Sequence, residues 1–135
     1  MHKKPTLTAA MTPFPYALDI NASVREAATL MEKHNIHHLP VTEGDSIIGI
    51  VTARDVSHRS PEDTVRTCYT AHPYVTEITT PLDEVLWQMA ERKIGCVIVT
   101  RYEKLAGIFT HVDACRTFAG HLRIVFPTPP EDIVA

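Results

Sequence analysis

A shift of 58 residues lays the first half of this chain on its second half without a gap. Pro15-Tyr16 falls on Pro73-Tyr74, Ile20 on Ile78, Glu26 on Glu84, Met31 on Met89 and Ile36 on Ile94. Val41-Thr42 falls on Val99-Thr100, and Gly49, Ile50, Thr52 and Asp55 fall on Gly107, Ile108, Thr110 and Asp113. Apolar spacing and punctuation residues agree together, which a coincidental likeness of two helix-strand-strand segments does not explain. An internal repeat restricts the architecture more than any other feature, because one copy's elements dictate the other's.

Each copy carries the same order of elements. In the first, Val24, Ala27, Ala28 and Met31 recur at spacings of three and four, predicting a helix over 23–34. Ser23 and Glu26 stand at capping-box spacing. In the second, Val85, Leu86, Met89 and Ala90 supply the apolar stripe, with Thr80 as cap and Pro81 as first helical residue. These two caps fall one position apart under the repeat, so one boundary conflicts with the other. Short apolar runs follow, Ile36 to Val41 and Ile94 to Val99. After a turn at Gly44-Asp45, or at 101–104, come strands over Ile47 to Val51 and Leu105 to Phe109. Second helices are predicted over 53–58 and 111–118. In the tail, Leu122 to Phe126 reads either as a strand or as an irregular end, stopped by Pro127, Pro129 and Pro130.

One such unit has a sheet face too small to bury alone; two packed sheet to sheet share a core. The expected fold is therefore α/β (α+β), with two β-α-β-β-α repeats related by a pseudo-two-fold axis. The first repeat is expected over 11–60, the second over 69–119 and a C-terminal tail over 120–135. The 44% apolar and 21% charged composition is that of a globular chain. A net charge of −3 gives no nucleic-acid footprint. No apolar run is long enough to span a membrane, and no secretory leader is visible. Cys68, Cys96 and Cys115, odd in number and irregularly spaced, read as reduced thiols in a cytoplasmic protein.

The segments Gly49-Ile50-Val51-Thr52-Ala53-Arg54-Asp55 and Gly107-Ile108-Phe109-Thr110-His111-Val112-Asp113 carry the chemistry. Thr52 and Thr110 stand at helix N-cap positions, where unpaired amides and the helix dipole favour an anion. Asp55 and Asp113, three residues on, can accept the two hydroxyls of a ribose. The same T-x-x-D spacing is also a plain capping pattern in which the aspartate serves its own helix. Glycine ahead of each turn permits close approach of backbone or ligand.

Met11-Thr12-Pro13, Ser23 to Met31, His34 to Val41 and the two G-h-x-T-x-x-D segments together resemble a tandem pair of CBS domains, a Bateman module, over about four fifths of the chain. The resemblance implies a regulatory module, commonly a homodimer, that binds an adenosine-containing ligand in clefts between the repeats. AMP, ADP and ATP come first among such ligands, S-adenosylmethionine and NAD after them. It assigns phosphate and ribose to Thr52 and Asp55 in one site and to Thr110 and Asp113 in the other. It assigns the adenine-side walls to segments containing Tyr16, Ala17, Tyr74 and Val75. His38 and Pro40 match a strand that lines the cleft. The second copy departs there, with Cys96-Val97-Ile98, which puts its ligand preference in doubt.

Several residues admit two readings. Arg54 and His111 either touch phosphate or point to solvent, and His38 is either a cleft donor or a structural polar residue. Trp87 packs either between modules or within one. His34, His37 and His38 have no nearby acidic or cysteine partner to complete a recognisable ligand set, so no metal is expected. No Ser-His-Asp, P-loop or paired-carboxylate pattern is present, so no catalysis is expected. The resulting expectation is a nucleotide sensor acting on an effector protein in trans. The alternatives are an interaction module with no physiological ligand and, third, a nucleotide buffer.

Overall fold

The computed structural model describes residues 3–14 and 16–129; Pro15 and the tail from Pro130 lie outside them. The first half contains α1 (Leu7–Ala10), β1 (Thr12–Pro13), β2 (Leu18–Asp19), α2 (Val24–His34), β3 (His38–Glu43), β4 (Ser46–Thr52) and α3 (Ala53–Ser57). The second contains β5 (Thr70–Ala71), β6 (Val75–Glu77), α4 (Leu82–Arg92), β7 (Cys96–Arg101), β8 (Lys104–Thr110) and α5 (His111–Val125). Two four-stranded sheets result, ordered β1-β8-β7-β6 and β2-β3-β4-β5. The mixed α/β class and the duplicated sheet follow the repeat.

The short leading strands are exchanged between the repeats. β1 pairs with β8 as Thr12↔Ile108 and Pro13↔Gly107. β5 pairs with β4 as Ile50↔Thr70 and Gly49↔Ala71, the same register carried over by the 58-residue shift. Each copy's first strand thus completes the other copy's sheet. Accordingly the chain divides into Phe14–Val75 and a second unit, made of the N-terminal stretch up to Pro13 with the chain from Thr76 onward.

In the unit Phe14–Val75, α2 starts at Ser23, whose hydroxyl accepts from the Glu26 amide at 3.0 Å. It ends at Asn35 with φ 52, a left-handed residue that lets the Ile36 amide reach back to the Met31 carbonyl at 3.0 Å. Val24, Ala27 and Met31 form its buried stripe, and Leu39, Pro40, Val41 and Val51 are fully buried in the sheet. β3 begins at His38, two residues later than the apolar run, because residues 36 and 37 are used in leaving the helix. Pro40 is tolerated within β3 because β2 reaches only Val41 and Thr42, leaving Pro40 paired on the β4 side alone.

The second unit repeats these devices. Lys93 at φ 54 ends α4, and the Ile94 amide reaches the Met89 carbonyl at 3.1 Å. Val97, Val99 and Phe109 are fully buried. Two expectations are corrected here. The cap of α4 is Pro81, which the repeat pairs with Ser23, and not Thr80; the Thr80 hydroxyl bonds that of Thr76 at 2.7 Å instead. Leu122 to Phe126 is not a strand, since α5 continues unbroken to Val125. Phe118, Leu122 and Val125 keep the spacing of one helical face, and that periodicity overrides Gly120. Trp87 is largely exposed, so it does not pack inside its unit.

Candidate functional site

The strand-to-helix turn of the first copy is built by β4 running straight into α3. Thr52 caps the helix: its hydroxyl accepts from the Asp55 amide at 3.1 Å, and Asp55 Oδ2 accepts from the Thr52 amide at 2.9 Å. Asp55 is half-buried, and its only hydrogen-bond donor among the described residues is that amide, so Oδ1 keeps its acceptor capacity. His38 lies directly across the β3–β4 ladder from Thr52 and is half-buried. Arg54 is exposed. Thr52, Asp55 and His38 are therefore brought to one end of the hairpin, whereas Pro40, two residues further along β3 opposite Ile50, is fully buried.

Tyr16 is 47% exposed and forms a ring cluster with Phe14 and His34. Its centroid lies 5.2 Å from Phe14 in an edge arrangement and 4.9 Å from His34 in a tilted one. His34 is thus a second-row support for the Tyr16 ring, a part that its spacing to His37 and His38 did not suggest. Ala17 is half-buried, Tyr74 half-buried and Val75 exposed. Gly49 is explained by packing: a Cβ there would collide with the Thr70 carbonyl and the Tyr69 ring.

The second copy has the same capping box with more partners. Asp113 Oδ2 accepts from the Thr110 amide at 3.0 Å and the Thr110 hydroxyl at 3.2 Å. Thr12 Oγ1 donates to Oδ1 at 3.1 Å, and Arg116 Nη1 reaches the same oxygen at 3.3 Å. Asp113 is only 4% exposed. Thr12 and Arg116 were not singled out as site residues; Arg116 at three residues past Asp113 was the readable signal. The His111 ring rests on Gly95, with Nδ1 3.3 Å from the Gly95 carbonyl, rather than pointing freely to solvent. Opposite Thr110 stands Cys96, where the first copy has His38. Burial, and secondarily the Asp113 carboxylate, pushes the Cys96 thiol up to about 12. Cys68 is likewise raised by burial, then by Asp55.

Two capped turns at equivalent places of a repeat, on sheets completed by exchanged strands, narrow the choice of family. Residues 7–62 and again 65–120 match the CBS domain. The chain belongs to the CBS domain family. This CBS pair is 32% identical over 110 residues to the L-aspartate semialdehyde sulfurtransferase of Methanocaldococcus jannaschii, covering 78% of this chain but 22% of that protein. It is 33% identical over 96 residues to YlbB of Bacillus subtilis, covering 65% of each. The chain therefore spans only part of these curated relatives. Among solved structures, the CBS domain pair of protein MJ0100, in complex with 5-methylthioadenosine and S-adenosyl-L-methionine, matches with TM-score 0.77 and 28% identity, over 88% of this chain and 99% of that one. The acetoin utilization protein AcuB from Vibrio cholerae shares the fold, with TM-score 0.75 at 24% identity, over 95% of this chain and 100% of that one. Among the described residues no helix is long and apolar enough to cross a membrane, and no group of three or more His, Cys, Asp or Glu could hold a metal ion.

Proposed function

We propose that this CBS pair is a non-catalytic sensor that binds an adenosine-containing ligand and passes its state to a partner protein. The observation carrying this reading is the Thr52–Asp55 turn, where a half-buried carboxylate keeps one oxygen unengaged among the described residues, beside His38 on the neighbouring strand. A carboxylate can take a sugar's paired hydroxyls, and charge-assisted bonds of this kind are the stronger ones. Tyr16, backed by His34, offers a flat ring to a base. The MJ0100 pair, with its 5-methylthioadenosine and S-adenosyl-L-methionine, supports the adenosyl group as the common element. AMP, ADP, ATP and NAD carry the same group. The turn is built a second time at Thr110 and Asp113, so one or two equivalents are open to the same chemistry.

Binding would shift this protein between arrangements only by the difference in affinity between them. A second copy of the chain is the nearest candidate partner, since Trp87, Phe118, Ile124 and Phe126 are exposed. The rival reading is an interaction module without a ligand. It draws on the capping boxes, which give both aspartates a structural task.

Calorimetric titration with S-adenosylmethionine, 5-methylthioadenosine, AMP, ATP and NAD separates the two. The expected result is saturable heat with at least one of them, weakened about tenfold or more in Asp55→Ala, the loss of one hydrogen bond to a charged group. No heat and no thermal shift with any of the five would leave the ligand-free module.

A further inference from the structure

We propose that the duplicated aspartates have divided their labour: Asp113 is a latch that fastens the N-terminal strand β1 to helix α5, and it takes no ligand while β1 is in place. The inference rests on the adenosine-ligand reading for its consequence, but not for the latch itself. Under the repeat, Thr12 corresponds to Thr70, and both sit at the same place on an edge strand, opposite Ile108 and Ile50. Asp113 corresponds to Asp55. The local chemistry nevertheless differs. Thr12 donates to Asp113 at 3.1 and 3.3 Å, whereas Thr70 is exposed and makes no hydrogen bond to Asp55 among those described. Arg116 adds a further donor to Asp113 at 3.3 Å, and the residue in its place in the first copy is His58.

A carboxylate offers about four lone-pair directions. At Asp113 the Thr110 amide, the Thr110 hydroxyl, the Thr12 hydroxyl and the Arg116 guanidinium occupy them. At 4% exposure no edge remains for two ligand hydroxyls. A sugar could reach Asp113 only by displacing Thr12, which detaches the two-residue strand β1 from the helix it is tied to. Thr12 and Arg116 are thus positioning residues. They set how many ligands the chain takes, and they couple the second turn to the N-terminal stretch through α1.

The full chain tests this with two measurements on wild type, Thr12→Val, Arg116→Gln and the variant carrying both. Amide hydrogen exchange over Leu7 to Thr12 is expected to rise about tenfold in Thr12→Val, the equilibrium worth of one bond to a charged group, with a smaller rise in Arg116→Gln. S-adenosylmethionine is expected to titrate at one equivalent per wild-type chain and two per chain carrying Thr12→Val and Arg116→Gln together, which frees Oδ1 of both its donors. Unchanged exchange in both single variants overturns the latch. Two equivalents on wild type overturn the sealing of Asp113. Faster exchange with no binding by any chain leaves the latch standing and removes the ligand reading instead.

Discussion

The two copies solve one packing problem in opposite ways, and the difference can be measured. In the first copy the Ala53 amide donates to the His37 carbonyl at 2.9 Å; in the second the His111 amide donates to the Gly95 carbonyl at 2.9 Å. The histidine of this bonded pair stands on the strand side in the first copy, as His37 bonded to Ala53, and on the helix side in the second, as His111 bonded to Gly95. A Cβ built on Gly95 would stand 3.0 Å from His111 Nδ1 and 3.7 Å from Cε1. Gly95 has no positive φ, so alanine meets no backbone strain there. Gly95→Ala must therefore push the His111 ring off its carbonyl, at a cost of about 1 kcal/mol for the lost bond and contact. This is partly offset by the 0.4–1 kcal/mol or so that alanine contributes by restricting the unfolded chain. With His111→Ala already in place nothing obstructs the methyl group, and Gly95→Ala is expected to stabilise by about 0.5 kcal/mol. Urea denaturation of the four proteins gives the cycle directly, with an expected coupling of about 1 kcal/mol. An equal effect of Gly95→Ala in both backgrounds would refute the claim that the ring sets the requirement for glycine.

Other outcomes follow from the same contacts. Gly49→Ala forces a methyl group against the Thr70 carbonyl and the Tyr69 ring. It should cost about 1–3 kcal/mol by overpacking, read as a lower denaturation midpoint. Lys93→Gly relieves a left-handed residue at the end of α4 and should raise stability by up to about 1 kcal/mol. The raised Cys96 thiol should resist alkylation at pH 8 while exposed Cys115 reacts, as thiol mass labelling would read. Because its folded value of about 12 lies above that of an ordinary thiol, its contribution to stability is present below about pH 9 and lost as pH rises towards 12. A flat stability profile across that window in wild type, matching Cys96→Ala, would count against it.

How much was legible in the sequence depended on the range of the interaction. Helix α2, its Ser23 cap and both Thr-x-x-Asp capping boxes were readable because each is closed within one turn of chain. The hairpins β3–β4 and β7–β8 were readable because their turns lie between adjacent apolar runs. The internal repeat even held the information that corrected Thr80 to Pro81. The tail reads from the sequence as a strand or an irregular end, because Pro127, Pro129 and Pro130 outweigh a helical spacing that shows only when α5 is seen whole to Val125.

By itself, then, the order of residues determined two like units, their helices and hairpins, and the pair of capped turns, since local hydrogen bonds and apolar periods act over a few residues. Only tertiary structure decided that each two-residue leading strand joins the other copy's sheet. So short a strand carries no pattern of its own, and its partner lies well beyond the reach of a tight turn, Ile50 for Thr70 and Ile108 for Thr12. It also decided that Asp113 is closed by Thr12 and Arg116 while Asp55 stays half-open, because a carboxylate's capacity to accept depends on which donors the fold delivers to it.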